Sequence, residues 1–194
     1  MLMIKRKAAV PAVLLVLAGV AACSSPRTES PSPIGGPSSA STVTSESRPT
    51  GGGQLASVNA CDLLTDQEAA QFNARGPGRS DSAGATGATS ACQRSGRSAD
   101  DSSTSFTVSV RAEQGLADVN ADGGTLTSGS VNNRPATQVT GSVGATCLIS
   151  LGVTKTSRVD ISFVIGAGTE PTEACRTASQ IANIVEPKLP KYEG

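Results

Sequence analysis

The spacing of apolar and polar residues changes several times along this chain, and each change predicts an element. After Lys5-Arg6-Lys7 comes an apolar run from Ala8 to Ala22, broken by Pro11. It is shorter than the roughly 20 residues a spanning helix needs, so it predicts a cleaved export signal. From Ser24 to about Val58 large apolar residues nearly vanish and Ser, Pro, Thr and Gly take over, ending in Gly51-Gly52-Gly53. A segment with so little to bury is expected to be a disordered tether, reaching about 30 Å.

Folded structure is expected to begin at Asn59. In Cys61-Asp62-Leu63-Leu64-Thr65-Asp66-Gln67-Glu68 the Thr65 and Glu68 spacing is that of a capping box, in which Thr65 covers a free amide and Glu68 reaches back. A short helix through Phe72 follows, with Leu64, Ala69 and Phe72 inward and Gly76-Pro77-Gly78 as its stop. Residues 78–103 hold mostly Ser, Gly, Ala and Thr around Cys92, too little hydrophobicity to define an element. Thr104–Arg111 then alternates, with Phe106, Val108 and Val110 on one face, and predicts a half-buried strand.

Leu116 to Asn120 suits a helical turn, and Val131 to Thr140 carries a weak strand. Two stronger strands follow, one placing Ala145, Cys147, Ile149, Leu151 and Val153 on a face, the other Val159, Ile161, Phe163 and Ile165. Lys155-Thr156-Ser157 between them suits a hairpin, so these strands are expected to pair antiparallel. Finally, Ala174, Ala178, Ile181, Ala182 and Val185 recur at helical spacing, with Pro171 at the start and Pro187 past the end. The expected fold is α+β: an antiparallel β-sheet covered on one face by the C-terminal helix and the short N-terminal helix.

Cysteine placement adds an address and a framework. Val20-Ala21-Ala22-Cys23 ends the export signal with small or aliphatic residues before a cysteine, the pattern at which bacterial lipoproteins are cut and acylated. Residues 1–22 then read as a lipoprotein signal peptide, 23–58 as an acylated Cys23 with its tether, and 59–194 as one domain of roughly 135 residues. The expected location is the extracytoplasmic face of the cell membrane, held by palmitate-type acyl chains on Cys23. In that oxidising compartment Cys61, Cys92, Cys147 and Cys175 are expected to form two disulfides. Cys175 borders the apolar stripe of the last helix and can reach a strand beneath, which favours Cys147–Cys175 and, by elimination, Cys61–Cys92. More than one connectivity remains open to the sequence alone.

Little in the domain points to chemistry. Eleven basic and fourteen acidic residues from Asn59 onward leave a formal charge of −3, without the basic surplus that nucleic acid binding asks for. The chain has no His, so Ser-His and Cys-His nucleophile systems and the usual zinc sites are excluded. Asp100-Asp101, the closest acidic pair, sits among Ser and Ala and reads as a loop before a strand. No Cys-x-x-Cys spacing occurs. Arg75, Arg79, Arg94 and Arg97 read as solvated surface that could meet an anionic lipid or glycan. Asp118, Asn120 and Asp122 with Gly123 reproduce the opening of a calcium loop, but the twelfth position is Gly129 where a bidentate Glu is needed. Asp and Asn favour such turns without metal, so no metal and no cofactor are expected.

The lipobox, the low-complexity tether, Cys61-Asp62-Leu63-Leu64-Thr65 with Glu68, Arg134-Pro135-Ala136, Cys147 in a strand, and Cys175-Arg176-Thr177-Ala178 opening a last helix before Leu189-Pro190 have a joint resemblance. In these features the chain resembles the actinobacterial lipoproteins catalogued as domain of unknown function 3558. Arg94 departs from that pattern, standing where such proteins commonly carry an aromatic residue two positions after the second cysteine. The resemblance implies location and architecture and transfers no catalytic residue. The expected role is therefore not enzymatic: a non-catalytic envelope module that binds another envelope protein or a cell-wall polymer. The alternative is a carrier or receptor for a small apolar ligand held between sheet and helix.

Overall fold

Seven strands form one antiparallel sheet in the computed structural model, which describes residues 53–81, 85–98, 101–166 and 170–194. They are β1 (Arg79–Ser80), β2 (Ser90–Arg97), β3 (Ser103–Arg111), β4 (Thr125–Val131), β5 (Arg134–Thr140), β6 (Thr146–Thr154) and β7 (Ser157–Ile165). The spatial order is β1-β2-β3-β7-β6-β5-β4. One meander runs from β1 to β3; the chain then crosses to the far edge and returns through β4, β5 and β6 so that β7 lands beside β3. Two helices accompany the sheet, α1 (Asp66–Ala70) and α2 (Pro171–Val185).

The period-two alternation does the sorting that the sequence promised. Phe106, Val108 and Val110 of β3, Val159, Ile161 and Phe163 of β7, and Cys147, Ile149, Leu151 and Val153 of β6 are all buried on one face. Against those of β6 and β7 α2 lays Ala174, Cys175, Ala178, Ile181, Ala182 and Val185, also buried, while the turn at Ala60–Leu63 packs against β2 and β3. Each large aliphatic side chain buried this way contributes on the order of 1.5–3 kcal/mol. Alanines at Ala174, Ala178 and Ala182 let the helix axis approach the sheet closely. Pro171 opens the helix where its missing N–H costs nothing.

The two disulfides join Cys61 to Cys92 and Cys147 to Cys175. The second staples α2 to β6, as the stripe on α2 favoured. The first ties the 3-10 turn at Ala60–Leu63 to β2. The capping box is present in full: Thr65 Oγ1 accepts from the Glu68 N–H at 3.2 Å, and Glu68 Oε2 accepts from the Thr65 N–H at 2.8 Å.

Several expectations need correction. Packed structure starts upstream of Asn59, because Leu55 is buried in the core. The helix after Thr65 ends at Ala70, and Asn73 in left-handed backbone (φ 61°) turns the chain before Gly76-Pro77-Gly78 is reached. Residues 78–103 are not merely a restrained loop. They hold β1 and β2, because backbone pairing with β3 supplies what the side chains lack. The weak strand at Val131–Thr140 is really the second half of a hairpin, β4 to β5. Asn132 and Asn133, at φ 49° and 70°, form the left-handed two-residue turn whose twist matches paired strands. Residues 1–22 with the signal, the Val20–Cys23 lipobox and Asp100 lie outside the described residues.

Candidate functional site

The sheet face opposite α2 carries a buried ionic cluster on β3, β6 and β7. The segment from Ala112 to Gly124 crosses over that face on its way to β4. Asp160 of β7, 4% exposed, accepts from Arg158 Nε at 2.8 Å, from Ser150 Oγ at 2.7 Å and from Arg111 Nε. Arg158 also donates to the Gly115 carbonyl, and Arg111 to the Thr86 carbonyl and Gln114 Oε1, each at 2.7 Å. A carboxylate between two guanidinium groups thus pins the crossover to the sheet. Charges buried this way persist only when paired and fully hydrogen-bonded.

The suspected calcium residues lie in this crossover. Asp118 Oδ2 accepts from the Gly115 N–H at 2.7 Å and Asn120 Oδ1 from the Asp122 N–H at 3.1 Å. Both therefore serve the local turn. They border a hollow of about 380 Å³ whose far wall carries Arg111 and Arg158. Cationic side chains facing the hollow oppose a cation there. Among the described residues no group of three or more acidic, His or Cys side chains is placed to hold a metal.

The arginines near β2 divide. Arg94 is 5% exposed, not solvated surface. It lies on the α2 side of the sheet, donating to Asp66 Oδ1 at 2.5 Å and to the Leu64 carbonyl at 2.6 Å. Its guanidinium holds the Asp66 carboxyl below the usual carboxylate range. An arginine with its stem in the core and its head on the start of α1 fills a place that an aromatic ring could otherwise occupy. Arg97, by contrast, is half exposed and pairs with exposed Asp101 at 3.4 Å. At the same helix start Lys188 Nζ lies 2.6 Å from Glu68 Oε2, and with the Thr65 amide it lowers the Glu68 carboxyl to about 2.

An opening lies between α2 and one end of the sheet. All three phenylalanines of the chain meet there: Phe106 stacks on Phe163 with centroids 6.0 Å apart, and Phe72 meets Phe106 edge-on at 6.4 Å. Phe72, Phe163 and Ile165 form the apolar floor of an open cleft of about 410 Å³. One wall is a row on α2, Glu173, Arg176, Thr177 and Gln180, and the other is Gln71 and Asn73 after α1. Glu173 and Arg176 neutralise each other across 3.0 Å. The arrangement offers amides, the hydroxyls of Ser98, Thr104 and Thr177, and this ion pair around an apolar floor.

Sequence reasoning placed Phe72, Phe163 and Ile165 inward without seeing that they share an opening. The signal for the α2 wall was present, since residues 173, 176, 177 and 180 repeat at helical spacing beside the buried stripe.

The model of the family described as protein of unknown function (DUF3558) matches residues 18–188. No curated protein and no solved structure matches the chain.

Proposed function

This chain belongs to that family of unknown function, and on that premise we propose a non-catalytic binding module of the cell envelope, acylated at Cys23 and carried on the tether outside the membrane. The cleft over Phe72, Phe163 and Ile165 is the observation that carries the reading. Its walls mix amides, three hydroxyls and a self-neutralised ion pair. That lining suits a neutral polar partner, such as a protein segment or a wall polymer, better than a purely apolar one. The extracytoplasmic address rests on the Val20–Cys23 pattern, and the two disulfides fit an oxidising compartment.

A photo-crosslinking residue at Gln180 in intact cells is expected to trap an envelope component, while the same residue at exposed Lys191 traps none. Equal or absent adducts at both positions refute the reading. Labelled palmitate is expected on the native chain and not on Cys23→Ala. A carrier for a small apolar ligand is the second reading, favoured by the cleft volume, which falls in the range of ligand pockets. Native mass spectrometry of the protein from its host decides it, since a carrier retains added ligand mass and a docking module gives the bare acylated chain.

A further inference from the structure

The two edges of this sheet are built differently. At one end β1 is only 2 residues long and carries Arg79, a short and charged edge of the kind that discourages pairing. At the other end β4 runs 7 residues, Thr-Leu-Thr-Ser-Gly-Ser-Val, with no charge and no proline, and is exposed along nearly its whole length. Among the described residues no strand covers its outer side. From these features we infer that β4 is where two copies of this chain pair, antiparallel about a two-fold axis through Ser128, joining their sheets into one.

The hydrogen-bond pattern fits that pairing. The two-residue turn at Asn132-Asn133 makes Val131 and Arg134 a hydrogen-bonded pair, so Gly129, Thr127 and Thr125 also bond inward to β5. The N–H and C=O groups of Leu126, Ser128 and Ser130 consequently point away from the sheet. A copy related by a two-fold at Ser128 sets Leu126 opposite Ser130 of the second copy, and Ser128 opposite its counterpart. Every outward group is then satisfied, in about six hydrogen bonds.

Side chains agree with the backbone. On the α2 side Thr127 falls opposite Gly129 of the copy, beside which there is open space for it. On the other side Leu126, 44% exposed, gains cover from Ser128 and Ser130 of the copy. A second copy brings no like charge to this uncharged edge, whereas a charged strand would lose solvation against it without gaining a partner. α2 packs mainly over β6 and β7 and only lightly over β4, which leaves the outer side of that strand uncovered by the helix. With β1 blunted, the assembly closes at a dimer and does not extend into a fibre.

Sedimentation of the full acylated chain in detergent tests this across a concentration series. A dimer that dissociates on dilution is expected. Ser128→Pro removes the central outward N–H, and Ser128→Lys opposes two cations across the axis; each is expected to weaken dimerisation about tenfold or more with an unchanged circular dichroism spectrum. Neither change touches a bond to β5, so folding is preserved. Ser128→Cys is expected to give a covalent dimer on mild oxidation, and Ser80→Cys at the opposite edge none. A monomer at every concentration overturns the inference, as does a dimer indifferent to both Ser128 variants or equal crosslinking at both edges.

Discussion

Replacing Asp160 with Ala should be among the most damaging changes available on the sheet face opposite α2. The side chains of Asp160 and Arg158 are each 6% exposed and that of Arg111 17%, so this is a nearly buried ionic cluster. Removing the carboxylate strands two guanidinium groups, leaves Ser150 without its acceptor and loosens the crossover held through Gly115. Breaking a buried pair from one side costs about 3–5 kcal/mol, most of it the penalty of an uncompensated charge. Against a typical total stability of roughly 5–15 kcal/mol, that is a large fraction. In guanidinium unfolding with the disulfides intact, the midpoint should fall by about 1 M. Glu173→Gln is the control, because its pair with Arg176 is exposed at 52% and 70% and such pairs are worth about 1 kcal/mol or less. The double variant Asp160→Leu/Arg158→Met should recover part of the loss, since it removes the more buried guanidinium with the carboxylate and leaves only Arg111 without its ionic partner. If Asp160→Ala costs no more than Glu173→Gln, the cluster does not clamp the crossover to the sheet.

Three further outcomes follow from separate parts of the fold. The bridges close sequence separations of 31 and 28 residues, so replacing either cysteine pair with alanines should cost about 3–4 kcal/mol in equilibrium unfolding. The Glu68 carboxyl is lowered from 4.5 to about 2 by Lys188 and the Thr65 amide. Its contribution is therefore present above about pH 4.5 and is lost as pH falls toward 2. Because the pair is partly exposed, that contribution is about 1 kcal/mol or less, and Lys188→Met should flatten this part of the acid unfolding profile. At the β4–β5 turn, Asn133→Val should destabilise by about 1–2 kcal/mol and Asn133→Gly should not, as melting temperatures will report, because φ of 70° suits glycine and opposes β-branched residues.

What the amino-acid order determined by itself was everything local and periodic. The alternation in Thr104–Arg111 and in the two strands around Lys155-Thr156, the stripe on α2 and the Thr65–Glu68 box all depend on neighbours within one turn or one pleat. A single strand or helix therefore displays them before it meets any partner. The second half of the β4–β5 hairpin showed only weakly, and β2 and β4 not at all, because Ser, Thr and Gly strands gain their stability from backbone pairing with strands far away in the chain. Arg94 was misplaced for the same reason. Only the meeting of β2 with the start of α1 brings Asp66 and the Leu64 carbonyl to its guanidinium and makes burial tolerable. The cleft belongs wholly to the tertiary level. Its phenylalanines come from residues 72, 106 and 163, and their juxtaposition exists only once β3 pairs with β7 and the segment after α1 brings Phe72 to Phe106.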